Sequence, residues 1–263
     1  MRERTKRRLF PRGIRPAAAA LAVLLLFSAV GCAQENKYVN VGVEMSTAGM
    51  SLYLTNTVNG FQKVSSYVFF APSSSAALDK LRQQKQGIDL AYLPAKDLGL
   101  IRAGDGLTVV FPDCFEENGE LKGVWVAQNT WLEGAPNYSY KFILGLAMSA
   151  DYRAAHMNMS YPDAQESVGA ARDVDWADYP EVMQYCAVYA VSNKEELTDE
   201  PFCAKDAETL LAMFEGFSEG SGEGYAACRE AYEKYCGDGA EAFEKLFDFS
   251  LAVRALKEAA NAE

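Results

Sequence analysis

At 263 residues and 49% hydrophobic content, the chain can build one large domain or two modest lobes around a real core, which excludes a disordered tail and a minimal disulfide scaffold. Its 25 Lys and Arg face 36 Asp and Glu, and beyond Gly31 the 18 bases and 35 acids leave a net charge of −17, so with no basic patch in sight a nucleic-acid partner is excluded. His156 is the single histidine, which removes a His-rich metal site and routine histidine catalysis.

Arg2, Arg4, Lys6, Arg7, Arg8, Arg12 and Arg15 form a basic start, followed by an apolar run from Ala17 to Phe27 that is short for a bilayer span. Ser28-Ala29-Val30-Gly31-Cys32 then resembles the lipobox of bacterial lipoproteins, with Ala29 where Leu is common. The expectation is an export signal over 1–31, lipidation at Cys32, and a polar tether over 32–37, so that the folded part works outside the cytoplasm, anchored to the membrane.

Tyr38 to Glu44 alternates apolar and polar residues as a half-buried strand does, and Met50 to Phe61 reads as a helix. Val64 to Ala71 is a second strand, Ser73-Ser74-Ser75 caps a helix over Ala76 to Gln86, and Gly87 stops it. A short apolar strand over Ile88 to Leu93, a short helix over Ala95 to Ala103 and a strand over Leu107 to Phe111 follow. Asp113 to Lys122 reads as a polar loop, Gly123 to Gln128 as a strand, and Tyr138 to His156 as one long helix. Strands alternating with helices at this spacing predict a parallel-dominated α/β sheet. From Asp151 onward 24 acids face nine bases, and helices are expected over Tyr179 to Val191, Lys205 to Phe217, Gly224 to Cys236 and Ala240 to Ala260. In the last of these, Ala242, Leu246, Phe249, Val253 and Leu256 make one apolar stripe that must pack on something.

Several chemical motifs fail on inspection. Cys114, Cys186, Cys203, Cys228 and Cys236 are an odd set without CxxC, and Cys228 and Cys236 lie too far apart on one helix to pair. A Cys186–Cys203 bridge and buried free thiols both fit, and reduced structural cysteines are the expectation. Asp173, Asp175 and Asp178 lack the glycine and closing glutamate of a calcium loop. Gly220, Gly222 and Gly224 follow no strand and read as a linker, not a phosphate loop, and no metal or cofactor is expected. His156 reads as a helix-terminal residue, and Trp125, Trp131 and Trp176 as core.

The opening strand–helix–strand–helix order followed by Gly87-Ile88-Asp89-Leu90-Ala91, the Ser73 to Ser75 cluster, and the later run of Val124 to Gln128, Trp131-Leu132 and Ala135-Pro136 resemble type II periplasmic substrate-binding proteins of ABC importers, in the group of sulfonate, nitrate and thiamine-precursor binders. The resemblance covers about residues 38 to 160. It implies an α/β binding-protein-like lobe over 38–156; the family normally has two such lobes that close on a ligand, and this chain departs from it, because too few strands lie between Phe111 and Tyr138 for a complete second lobe, so that an acidic, mainly helical region over 157–263 with a second lobe reduced or absent is expected. In an open α/β sheet a ligand sits beyond the carboxyl ends of the strands, where helix N-termini offer free N–H groups. The candidate ligand-binding residues are therefore Ser46 and Thr47 after the first strand, Ser73, Ser74 and Ser75 after the second, and Tyr92 and Pro94 at the third, a set suited to an anionic or amide-bearing solute. The resemblance implies a solute-binding lipoprotein, not an enzyme, that takes a small polar ligand to an ABC transporter permease. The alternative is a degenerate relative serving as a surface interaction module.

Overall fold

A computed structural model describes residues 38–44, 52, 55, 64–71, 73–83, 87–116, 118–157 and 204–261. All of them belong to the compact unit Lys37–Glu263. The expectations for the export signal, Cys32, Ser46, Thr47, Cys186, Cys203, the Asp173 to Asp178 run, Trp176 and the helix over Tyr179 to Val191 lie outside these residues, as does most of the helix over Met50 to Phe61.

Strands β1 (Tyr38–Glu44), β2 (Ser65–Ala71), β3 (Leu90–Pro94), β4 (Leu107–Phe115) and β5 (Leu121–Gln128) form one five-stranded sheet in the order β2-β1-β3-β5-β4. β1 pairs in parallel with β2 and β3, while β5 runs antiparallel to both β3 and β4, so four strands point one way and β5 alone points back. Every described side chain of β3, β4 and β5 is buried apart from Pro94 and Lys122, which are half-buried. Such runs belong to a sheet covered on both faces and explain why these segments lack alternation in the sequence. Gly42 of β1 leaves the space that the tip of the Ile88 side chain fills.

Helix α1 (Ser74–Leu81) starts at the N-cap Ser73, whose hydroxyl accepts the Ala76 amide at 3.2 Å, and buries Ala77, Leu78 and Leu81. A 3-10 helix (Ala95–Leu100) follows β3. The segment expected to be a polar loop over Asp113 to Lys122 is strand at both of its ends. β4 continues through Asp113, Cys114 and Phe115, β5 begins at Leu121, and between them Gly119 takes φ 89° and donates its amide to the Glu116 carbonyl at 2.9 Å. The polar letters misled because Asp113 is buried in an ion pair, described below.

A short helix, α2 (Asn129–Gly134), follows β5, and the single helix expected over Tyr138 to His156 is two, α3 (Pro136–Met148) and α4 (Ala150–Met157). The break falls at Ser149, whose hydroxyl bonds back to the Leu146 carbonyl at 3.1 Å and meets the Thr55 hydroxyl at 2.8 Å. After the undescribed stretch come α5 (Ala207–Phe214), a 3-10 turn (Phe217–Glu219), α6 (Glu223–Tyr235), α7 (Phe243–Leu246) and α8 (Ser250–Ala260).

The helix expected over Ala240 to Ala260 is thus broken in two. Phe247 adopts an extended conformation and forms a parallel bridge to Val109, and the Asp248 amide donates to the Val109 carbonyl at 3.0 Å. Edge coverage of β4 wins over helical periodicity, because an unpaired edge strand leaves its backbone unsatisfied. Of the predicted stripe, Leu246, Phe249 and Leu256 are buried, Val253 is half-buried and Ala242 is exposed. A single apolar cluster runs from Val39 in β1 to Leu256 in α8, so the acidic helices share their core with the sheet. Cys114, Cys228 and Cys236 are free thiols, as expected for structural cysteines.

Candidate ligand-binding edge

The parallel register aligns Glu44 with Ala71 and Gly42 with Ala91, which brings the carboxyl ends of β1, β2 and β3 to one edge of the sheet. β4 runs in the same direction, so its link to β5 lies on that edge too. The link closes through the Glu116 amide on the Glu120 carbonyl at 2.8 Å, and Lys234 at the end of α6 reaches Glu120 at 2.9 Å.

The serine cluster divides by role at this edge. Ser73 caps α1; Ser74 is buried and donates its hydroxyl to Asp97 at 2.6 Å; Ser75 is exposed. Asp97 sits in the first turn of the 3-10 helix, so the Ser74–Asp97 bond ties the loop after β2 to the loop after β3. Pro94, half-buried, is the N-cap of that 3-10 helix. Tyr92 lies elsewhere: it is 1% exposed, meets Trp125 edge-on at 5.7 Å, and leans on Gly123, where any Cβ would overlap its hydroxyl. Its side chain is core packing. Trp125 is fully buried and also packs edge-on against Phe142 of α3, while Trp131 is nearly buried.

Asp89 of the Gly87 to Ala91 run works at the opposite edge. Its carboxylate accepts the Asn40 amide at 2.7 Å and the Asn40 side chain at 3.1 Å, and its carbonyl accepts the Gln128 amide at 3.0 Å. One residue thereby pins β1, β3 and β5. Burial raises its pKa above the ordinary aspartate value, with the Asn40 hydrogen bonds pulling the other way.

Sequence reasoning missed a buried polar centre. Asp113 and Arg153 form a fully buried ion pair, Trp125 Nε1 donates to Asp113 at 3.3 Å, and the Cys114 thiol lies 3.4 Å from the other carboxylate oxygen. Arg153 also donates to the Leu146 carbonyl at 2.8 Å and lies 5.7 Å from the centroid of the Phe111 ring. Burial, reinforced by the Asp113 charge, pushes the Cys114 thiol well above its ordinary pKa, so it stays protonated and inert. The one available signal was the apolar run continuing past Pro112 into Cys114 and Phe115. Among the described residues no three Cys, His, Asp or Glu side chains are grouped to hold a metal ion.

No protein-family model matches the sequence, and no curated protein matches it significantly. Solved structures do. The periplasmic nitrate-binding protein NrtA from Synechocystis superposes with a TM-score of 0.50 at 10% identity, over 86% of this chain and 89% of that one. The chain has the periplasmic-binding-protein fold. The ligand-binding component of an ABC-type import system from Staphylococcus aureus, solved with zinc bound, matches at a TM-score of 0.47 and 11% identity, covering 83% of this chain and 98% of its own. The alkanesulfonate-binding protein SsuA from Xanthomonas axonopodis matches at 0.36 and 10% identity over 70% of this chain and 93% of its own.

Proposed function

We propose that this chain is an extracytoplasmic solute-binding lipoprotein of an ABC importer, anchored through Cys32, which captures a small polar metabolite at the carboxyl edge of its sheet and passes it to a permease. The sheet order β2-β1-β3-β5-β4 carries the proposal, because it gathers the ends of β1, β2 and β3 at one edge beside the N-terminus of α1, where ligand-facing N–H groups and hydroxyls are to be had. Ser46, Thr47, Ser75 and Pro94 are the proposed contacts, with Ser73 and Ser74 holding the loops in place. Glu120 is neutralised by Lys234, and the hydroxyls and N–H groups of this edge suit an anionic or amide-bearing solute. Binding, not covalent chemistry, is the proposed activity, and the proposed boundaries are a signal over 1–31, a tether over 32–37, a lobe over 38–156 and a helical region over 157–263.

A thermal-shift screen against amino acids, amides, pyrimidines, sulfonates and nitrate tests this, since a ligand at 100 times its dissociation constant adds about 2.7 kcal/mol. The expected result is a saturable rise in melting temperature that Ser75→Arg abolishes. The short link from β4 to β5 favours a second reading: it returns the chain to the same sheet directly after β4, which suits a single lobe used as an interaction module. A screen without any shift, together with co-purification of a membrane partner, supports that reading. For the anchor, Cys32→Ala is expected to release the protein or leave it unprocessed; mature-size protein still sedimenting with membranes argues against lipidation.

A further inference from the structure

At the edge where the strands begin, opposite the ligand-binding one, one loop is built unlike an ordinary surface loop. Leu107 at the start of β4 pairs with Gln128 at the end of β5, and the Gln128 side chain donates to the Leu81 carbonyl at the end of α1, which places the loop over 100–106 beside the amino ends of the strands. Every backbone N–H from Ile101 to Asp105 has a protein acceptor: in order, the Leu98 carbonyl at 3.0 Å, the Asp105 carboxylate at 2.8 Å, the Gly239 carbonyl at 2.9 Å, Glu241 Oε1 at 2.5 Å and the Arg102 carbonyl at 3.1 Å. The Leu100 carbonyl accepts Arg82 at 2.7 Å, and the Asp105 carboxylate pairs with the same guanidinium at 2.7 Å. The side chains that the loop presents outward are those of Leu100, 42% exposed, Arg102 and Ala103. Among the described residues the exposed large apolar side chains are Leu100 and Met148, and Met148 lies at the end of α3.

This combination fits a lipid–water interface. A loop that enters the headgroup layer loses water from its amides, which is costly for any amide without a partner, and here the five amides have theirs. An apolar side chain gains by leaving water, while an arginine beside it lays its stem along the apolar layer and keeps its guanidinium at the phosphates. Asp105, the one acid between residues 100 and 106, is neutralised by Arg82. The course of the chain decides which surface the loop meets. β1 starts on this same edge, where its Asn40 bonds Asp89, and Cys32 stands six residues before Tyr38, a reach of at most about 20 Å when fully extended. A lipid on Cys32 therefore holds this edge near the bilayer, with the ligand-binding edge a seven-residue strand further off. Beyond Gly31 the chain has 18 bases against 35 acids, so an anionic leaflet repels most of its surface and tolerates a stretch whose acid is paired. We infer that the 100–106 loop seats on the membrane, resting Leu100 and Arg102 on the leaflet that carries the Cys32 lipid and turning the ligand-binding edge away from it. The inference rests on the proposed lipidation of Cys32.

The test places the lipidated chain in vesicles of phosphatidylethanolamine and phosphatidylglycerol, with an environment-sensitive fluorophore on Ala103→Cys or on Ser75→Cys and a lipid carrying a nitroxide headgroup as quencher. The parent chain, labelled identically, sets the background from the native thiols. The probe at position 103 is expected to sit in the headgroup layer, with blue-shifted emission and about half of its intensity quenched, while the probe at position 75 stays unquenched. Adding Leu100→Gln/Arg102→Gln to the Ala103→Cys chain is expected to cut that quenching about twofold, with the melting temperature unchanged because both side chains are exposed. Quenching at position 75 as strong as at position 103, or quenching at position 103 that the double variant leaves unchanged, overturns the inference and leaves the anchor standing. A mature chain whose mass lacks a lipid at Cys32 overturns the anchor and the inference together. The solute screen above is unaffected by any of these results.

Discussion

Asp113 shows how one buried residue can hold a junction that its sequence context conceals. It links β4 to α4 through Arg153 and to β5 through Trp125, in a region where neither charge reaches water. Removing one partner strands the other charge, so Asp113→Asn is expected to cost about 3 to 5 kcal/mol in urea denaturation, while the apolar double variant Asp113→Leu/Arg153→Met recovers most of that loss. An Asp113→Asn protein within about 1 kcal/mol of the parent would mean that the pair is far better hydrated than its burial indicates. Asp89 gives a pH prediction of unusual sign. Its folded pKa is raised, so the folded state takes up a proton before the unfolded chain does, and this residue's contribution to stability increases as pH falls from neutrality through the raised value. Asp89→Asn lacks that increment, so the parent's stability minus the variant's should rise as pH falls, and only across the acidic range where Asp89 titrates. A difference constant from pH 7 to pH 4 argues against the shift.

At the scale of elements, the sequence was informative wherever local chemistry decided the outcome. β1 has the predicted limits, β2 starts one residue later than read, and Ser73 caps α1 by the side-chain bond that a serine before an apolar run implies. Asp206, which sequence reading placed inside a helix, caps α5 by accepting the Thr209 amide at 2.7 Å, and that bond holds its carboxyl below the ordinary value. Asp206→Ala is accordingly expected to lower stability by about 1 kcal/mol at neutral pH, with the loss fading as acid protonates the parent's cap; equilibrium unfolding at pH 7 and pH 3 reads both numbers. The elements that were misread are those decided by partners far along the chain. The end of β4 looked polar because Arg153 is forty positions away, and the last helix looked continuous because Val109, which pulls Phe247 out of helical geometry, is further still. The candidate site divides the same way: the strand-end edge follows from strand order, whereas the displacement of Tyr92 into the core follows from Gly123, whose missing side chain makes room for it.

At the scale of the molecule, the acidic helices and the sheet are one folding unit. α8 packs on α3, α5 and β4, and α6 packs on the 3-10 helix after β3, where Gly99 lies so close to the Tyr235 carbonyl that any Cβ would overlap it. Phe115 of β4 meets Phe214 of α5 at 6.4 Å, and Tyr140 of α3 bonds Glu258 of α8 at 2.6 Å. Segments about a hundred residues apart therefore bury each other's apolar surface, and the stability of the lobe depends on residues that a lobe ending after α4 would lack. Leu246, fully buried in α7, is the sharpest probe. Leu246→Asp places an unpaired charge in the shared core and is expected to cost about 4 kcal/mol or more, enough to unfold most of a marginally stable domain. The consequence reaches beyond the helices: the variant should lose protection from hydrogen exchange in β4 and β5 as well as in α7 and α8, because the two regions open together. A chain ending at Met157 should show neither a cooperative melt nor protected strands. If that truncated chain melts cooperatively at the full-length temperature, or if Leu246→Asp loosens the helices while the strands keep their protection, the helices are an appended cover and the sheet folds without them.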